Sequence, residues 1–300
     1  RVPAPITPDP EKTATASNVL TCGSITIDCD KYEIYRKGQL LDLTPIKAGI
    51  PELVKELSEN GSTDAAQAVM TTDTVDKQVA VEFEIDGKVC HLGGIAKGSG
   101  MIHPNMATML CFLTTDVKIS AKMLKTALSD VVADTFNMVS VDGDTSTNDT
   151  LLIMANGLAA NDTIADKGED YQTFVSALKY VCEFLAKKMA ADGEGASKLF
   201  EAKVVNAKSK EDARTLSRAI VASNLSKAAI YGCDANFGRF LCAMGYSGAD
   251  FDQNDVELFF ESKEGRLQVF DKGTPIVFDE EVATKILGAA EVTIFVDMHE

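Results

Sequence analysis

The stretch from Val79 to Leu92 limits what this chain can become more than any other. Val79–Ile85 (VAVEFEI) alternates apolar and polar residues, Asp86–Gly87 supplies a turn, and Lys88–Leu92 leads back. A period of two puts Val79, Val81, Phe83 and Ile85 on one face of a pleated strand, so the stretch predicts a β-hairpin with one face to bury. Such a face needs a covering layer. Two segments with helical spacing can provide it. One runs from about Ile119 to Phe136, with Met123, Leu124, Ala127, Leu128, Val131 and Val132 in phase; a longer one surrounds Tyr171–Ala190. The expected class is a layered architecture, α/β or α+β.

The rest of the chain divides into three parts. Residues 1–17 are rich in Pro, Thr and Ala and read as a linker. Residues 18–45 hold short alternating runs around Ile25, Ile27, Ile34 and Leu41, which predict two or three antiparallel strands. From Ile46 to residue 300 the pattern is mixed. Residues 46–58 predict a helix with Ile50, Leu53, Val54 and Leu57 on one face and Pro51 in its first turn. Thr63–Met70 predicts a short helix, Gly93–Gly100 a flexible loop, 141–149 a polar loop, and Thr150–Ala155 an apolar helix. A strand at Phe200–Ala207, helices at Lys210–Ser223 and Asn236–Gly245, and strands at Val256–Glu261, Leu267–Phe270 and Val292–Val296 complete the reading.

Charge narrows the partners. With 29 basic and 45 acidic residues the net charge is −16, which repels nucleic-acid phosphates and anionic lipid. The seven cysteines (22, 29, 90, 111, 182, 233 and 242) show no CxxC spacing, and Cys111 and Cys242 sit in apolar runs. They read as reduced core thiols, not as a disulfide framework or zinc site. The opening residues lack the apolar stretch of a signal peptide, so a cytoplasmic location is expected.

The window most suited to chemistry is Gly93–Asp116, GGIAKGSGMIHPNMATMLCFLTTD. Its glycines let backbone approach a ligand or adopt positive φ, Lys97 is its lone cation, and Thr108 follows the small Ala107 at the head of an apolar run. Taken singly these are weak signals, since a loop lysine is usually solvated and a strand threonine usually ordinary. The glycine spacing is not that of a nucleotide-binding loop. Asp142, Asp144 and Asp149 suggest a calcium loop, but Thr147 stands where such a loop needs Gly and Ile153 where it needs Glu, so no metal site is expected. His91 and His103 lack partners at triad or metal spacing.

The wording of the window says more than its spacing. KGSGMIHPNMATML resembles the autoprocessing segment of the glutamate N-acetyltransferase (ornithine acetyltransferase) family. The resemblance continues in AVMTTDTVDKQVAVEFEIDGK, VDGDTSTNDT, DGEGASK, RAIVASNLSKAAIYGCDANFGR and AMGYSGADFD, covering about residues 46–297. It implies the layered α/β sandwich of that family and cleavage between Ala107 and Thr108. The freed α-amine of Thr108 then serves as base for its own hydroxyl, being half neutral near pH ~7.7–8.0. It further implies transfer of acetyl from N-acetylornithine to glutamate, with Thr71, Lys97, Thr108 and Glu194 as substrate-binding residues. No cofactor is implied, although acetyl-CoA is an acetyl donor in bifunctional relatives. The two cleaved chains are expected to associate, as dimers of such pairs.

Two departures temper the resemblance. The family's Thr-Gly oxyanion pair and its C-terminal Asn and Thr or Ser have no counterpart in this sequence. Loss of an oxyanion donor costs ~10²–10³ in rate, so an impaired enzyme is expected. Residues 18–45 instead resemble the opening β-platform of the winged-helix domain of response regulators. Two other functions fit less well: an N-terminal-nucleophile amidohydrolase or aminopeptidase that transfers to water, and a DNA-binding regulator fragment, which the charge disfavours.

Overall fold

The computed structural model describes residues 19–22, 25–28, 33–40, 44–103 and 109–300, with backbone alone for the strands up to residue 36 and for 44–48. The linker reading of residues 1–17 therefore lies outside the described residues. Two compact units are present, 1–59 and 60–300.

The first unit holds four short strands, β1 (Val19–Cys22), β2 (Ile25–Asp28), β3 (Glu33–Arg36) and β4 (Gln39–Leu40), joined as an antiparallel meander. Lys37 and Gly38 turn the chain between the last two with φ of 51° and 77°. Helix α1 spans Thr44–Lys55 and so starts two residues earlier than expected, placing Pro51 in its interior and not in its first turn. Pro51 lacks the N–H that an interior position normally donates.

The second unit is built on two sheets. In the first, β5 (Lys77–Ile85) and β6 (Lys88–Lys97) form the expected hairpin, with Asp86 and Gly87 at φ of 51° and 65°, the two positive values of the tight turn that matches strand twist. Strand β7 (Leu110–Thr115) pairs antiparallel with β6, and β8 (Thr150–Ala155) pairs parallel with β7. Two expectations fail here. The segment 150–155 is a strand, not a helix. Its six residues are too few for a stable helix, and the parallel ladder from Leu110↔Thr150 to Thr115↔Ala155 supplies hydrogen-bond partners. The glycine-rich stretch is not a loop until Gly98, because Gly93–Lys97 continue β6. A Cβ on Gly94 would collide with Leu113 Cδ2, so this glycine serves packing, not flexibility.

Helices α2 (Ser62–Ala68), α3 (Ala121–Asp134) and α4 (Glu169–Ala191) accompany this sheet. Helix α4 lies across β5 and β6 and turns Phe174, Leu178, Val181, Leu185 and Met189, all fully buried, onto Leu92, Ala96, Cys111 and Leu113. Each such side chain contributes about 1.5–3 kcal/mol through burial. The second sheet has the order β12-β11-β10-β13-β9: β9 (Leu199–Val205), β10 (Glu257–Ser262), β11 (Gly265–Asp271), β12 (Thr274–Pro275) and β13 (Glu291–Asp297). Helices α5 (Lys210–Ala222), α6 (Asn224–Gly232), α7 (Phe237–Gly245) and α8 (Glu280–Leu287) cover it, and Phe240, Phe260, Ile286 and Ile294 form its core.

Cys90, Cys111 and Cys182 are buried free thiols, and burial pushes Cys182 up to about 12. Cys242 corrects the expectation of core thiols. It is exposed, because α7 turns Phe240, Ala243 and Met244 inward instead. Among the described residues no helix is long and apolar enough to cross a membrane.

Candidate active site

The segment 104–108, with Ala107 and Thr108, lies outside the described residues; its flanks and the other expected site residues do not. Thr71 follows α2, Lys97 ends β6, and Glu194 follows α4. Lys97 Nζ donates to Thr71 Oγ1 at 2.8 Å, so these two meet directly. Glu194 is attached one step away, its N–H donating to Ser99 O at 2.8 Å. Its carboxylate fills the space over Gly100, where a Cβ would lie 2.6 Å from the carboxyl carbon. Gly100 is therefore the residue that lets Glu194 sit against the loop that follows β6.

A buried lysine ties these three segments together. Lys77 is 1% exposed, and its ammonium lies 2.8 Å from Asp73 Oδ1 and 2.5 Å from Asp192 Oδ2. Asp73 accepts the Gly98 N–H at 2.6 Å and the Thr71 N–H at 3.2 Å, joining the Thr71 loop to the end of β6. Asp192 accepts the Thr74 N–H and hydroxyl, joining the same loop to the Glu194 loop. Thr72 and Ser99 add a 2.6 Å hydroxyl pair. Burial works to raise both carboxyls, but the Lys77 ammonium and the donated N–H and O–H groups outweigh it and hold both below the ordinary range.

The polar loop 139–149 grips both sides of segment 104–108. On the N-terminal side, Asp142 accepts the N–H groups of Met101 (2.5 Å) and Ile102 (3.1 Å), Thr145 donates to His103 O at 2.9 Å, and Ser140 Oγ meets His103 Nδ1 at 2.9 Å. Burial, reinforced by the nearby Arg218 and Lys227, lowers the pKa of His103. On the C-terminal side, Asp149 Oδ1 accepts the Met109 N–H, and the Thr150 N–H donates to Met109 O at 2.8 Å. Burial raises Asp149 to about 6. Asp142 and Asp149 thus hold backbone N–H groups on either side of the segment.

Sequence reasoning missed Asp73, Lys77 and Asp192, and it weighed Asp142 and Asp149 only as metal ligands. The available signal was the clustering of short polar residues in TTDTVDK and VDGDTSTND between apolar runs. Lys198, at the end of DGEGASK, is structural. Its ammonium donates to Ile230 O at 2.9 Å and Leu287 O at 2.7 Å, at the C-terminal ends of α6 and α8. His91 is an exposed surface residue paired with Asp116 at 2.7 Å. A cavity of about 500 Å³ lies between α4 and the second sheet, lined by residues including Met138, Val141, Glu194, Lys198 and Lys227. Glu194 reaches it, whereas Thr71 and Lys97 do not line it.

The model of the ArgJ family matches residues 37–300. Proteins named arginine biosynthesis bifunctional protein ArgJ are similar over most of this chain. The one from Caldanaerobacter subterraneus subsp. tengcongensis is 49% identical over 261 residues, covering 87% of this chain and 65% of that protein. The one from Thermotoga neapolitana is 49% identical over 263 residues, with 88% and 66% covered, and the one from Bacillus subtilis 48% identical, with 88% and 63%. A crystal structure of the Bacillus halodurans protein of the same name is 43% identical and superposes with a TM-score of 0.59, covering 63% of this chain and 87% of that one. The chain spans just under two thirds of the length of these curated relatives.

Proposed function

Because the chain belongs to the ArgJ family, we propose that it carries the site of a self-cleaving acetyltransferase of arginine biosynthesis, with Thr108 as nucleophile. The Thr108 hydroxyl attacks the Ala107 carbonyl, the Ala107–Thr108 amide gives way to an ester, and water hydrolyses the ester to free the α-amine. In turnover the hydroxyl attacks the acetyl carbonyl of N-acetylornithine, the C–N bond breaks, and the hydroxyl proton passes through the α-amine to the departing nitrogen. Glutamate's amine then takes the acetyl group from the threonine ester. The word bifunctional in the relatives' names supports acetyl-CoA as a second acetyl donor.

One observation carries this reading. Thr71, Lys97 and Glu194, the residues that the family resemblance gives to the substrate, stand on two loops and the end of β6, which are joined through Lys77. A lysine and a glutamate suit an amino-acid substrate that presents a carboxylate and an ammonium. Because an impaired enzyme is expected from the sequence, splitting into fragments 1–107 and 108–300 should be slow and is read by intact mass over a prolonged incubation, while Thr108→Ala stays whole. Incubation with N-acetylornithine should add one acetyl group to fragment 108–300, and glutamate should remove it. A parent chain that stays whole after prolonged incubation, or a Thr108→Ala chain that splits at this bond, overturns the proposal. Release of acetate without acetylglutamate would point to a hydrolase instead.

A further inference from the structure

The cavity between α4 and the second sheet carries charges of both signs on its walls, and most of them are committed. Lys187 pairs with Glu183 and Glu201, and Asp134 with Lys210 and Arg214. Lys198 gives its donors to the carbonyls of Ile230 and Leu287 and to the Cys233 sulfur. Lys179 is exposed on α4. Glu194 and Lys227 line the same cavity, and among the described residues neither forms an ion pair.

Lys227 stands half-buried in α6, and its ammonium donates to Ser140 O at 2.7 Å. That carbonyl takes one of its three donors. Burial lowers its pKa, against a smaller opposing effect of Asp142, as expected of a desolvated ammonium with no carboxylate in contact. A half-buried cation of this kind is stabilised by a carboxylate that enters the cavity.

The proposed exchange calls for such a cation. N-acetylornithine and glutamate use one site in turn, and both carry an α-carboxylate, which Lys97 suits. Their side chains end in opposite charges, the donor in an ammonium and the acceptor in a carboxylate. Glu194 suits the first and repels the second. Lys97 does not line the cavity that Glu194 reaches, whereas Lys227 does. We propose that Lys227 is the specificity-determining residue for the acceptor: its ammonium binds the side-chain carboxylate of glutamate in the cavity where Glu194 meets the side-chain ammonium of the donor. The inference rests on the acetyl exchange proposed above. With the donor bound, Lys227 stays on Ser140 O. When glutamate follows, its carboxylate accepts from the remaining donors of Lys227, which offsets the repulsion of Glu194.

Glutamine has the shape of glutamate without the side-chain charge, so the ratio of the two as acetyl acceptors reads this contact. The parent should favour glutamate by about 10- to 100-fold in kcat/KM, the range expected for one hydrogen bond between charged groups. In Lys227→Met, KM for glutamate should rise by that factor and the preference should vanish, while Lys227→Arg should keep most of it. Acetyl loading of fragment 108–300 from N-acetylornithine should not weaken in Lys227→Met, because the donor's side chain gains nothing from a second cation. A lysine that serves only to hold Ser140 gives a different result: its loss lowers the melting temperature and weakens glutamate and glutamine alike, leaving their ratio unchanged.

The same comparison can be made without turnover. Calorimetric titration of Thr108→Ala should show glutamate binding ahead of glutamine by the same factor, and Thr108→Ala combined with Lys227→Met should show no preference. Equal binding of the two by Thr108→Ala overturns the inference, as does a preference that survives the loss of Lys227. A parent chain that loads no acetyl, while Thr108→Ala still prefers glutamate, overturns instead the reading of Thr108 and leaves Lys227 as a carboxylate site.

Discussion

The two sheets of residues 60–300 are both covered by helices, yet they bury polar groups differently. Among the described residues the first sheet and its loops bury Asp73, Lys77, Ser99, Thr115, Thr135, Ser140 and Asn161; the second sheet's helices bury only Ser223 and Ser226. The core of the second is aromatic and aliphatic, with Phe240 placed 6.2 Å from Phe200 and 5.9 Å from Phe260. Among the described residues, the buried charges Asp73 and Lys77 stand only beside the segments that carry Thr71, Lys97 and Glu194. A buried ion pair is a weak source of stability, because desolvation opposes its attraction. Its persistence there fits a need to hold three segments in one arrangement, while the second sheet acts as a scaffold.

Two substitutions of similar thermodynamic cost test this division most strongly. Phe260→Ala should destabilise by about 3–5 kcal/mol through the cavity it leaves. Lys77→Met should cost about 3–5 kcal/mol by leaving Asp73 and Asp192 buried without their cation. Only Lys77→Met should also raise KM for the two amino-acid substrates proposed above, measured on the folded fraction at low temperature. Equal effects on KM would erase the distinction between the sheets.

Acid should separate the sheets as well. Asp73 and Asp192 are held below their ordinary 3.8, so their contribution is present above that pH and is lost as pH falls through their lower folded values. Amide exchange at falling pH should therefore open the Thr71 loop, the Gly98 turn and the Asp192 loop before β10 and β13. A smaller effect is expected at α8. Asp279 accepts the N–H groups of Glu281 (2.8 Å) and Val282 (3.3 Å), and Asp279→Ala should cost about 1 kcal/mol without changing turnover. The smallest belongs to His91. The hydrogen bond to Asp116 raises its pKa above the ordinary 6.5, so its stabilisation is present below that pH and fades as pH rises through the folded value. His91→Asn should lower the melting temperature slightly in acid and leave it unchanged in alkali.

Legibility in the sequence follows from how local each cause is. The hairpin at Asp86–Gly87 and helix α4 rest on patterns within a few residues, and both are readable. Strand β8 reads as a helix because TLLIMA is apolar almost throughout, and its strand character comes from pairing with β7. Helix α6 is hidden because Ser223 both ends α5 and caps α6, its Oγ accepting the Ser226 N–H at 3.2 Å, so no gap separates the helices. Helix α8 escapes the sequence reading although Asp279 marks its start. Thr71, Lys97 and Glu194 come from a family resemblance; their own residue types carry little. The groups that hold them are invisible, since Lys77 and Asp192 meet only in the folded chain. Asp149 suggests a metal ligand by its neighbours, and its bond to Met109 depends on a parallel ladder that the sequence does not announce.

The place of β13 has a consequence for how the molecule forms. It lies between β10 and β9, with Val292 beside Phe200 in parallel and Phe260 opposite Ile294 in antiparallel register. Strand β9 therefore has no neighbour in its sheet until β13, many residues later, has been made. Pairing over such a separation must meet the entropy of closing a long loop before any contact repays it, which makes this step slow. During synthesis the first sheet can close as soon as β8 emerges, while the second waits with β9 and β10 exposed along their edges. A nascent chain is thus most open to aggregation between the emergence of β9 and that of β13, and chaperone dependence should track that interval.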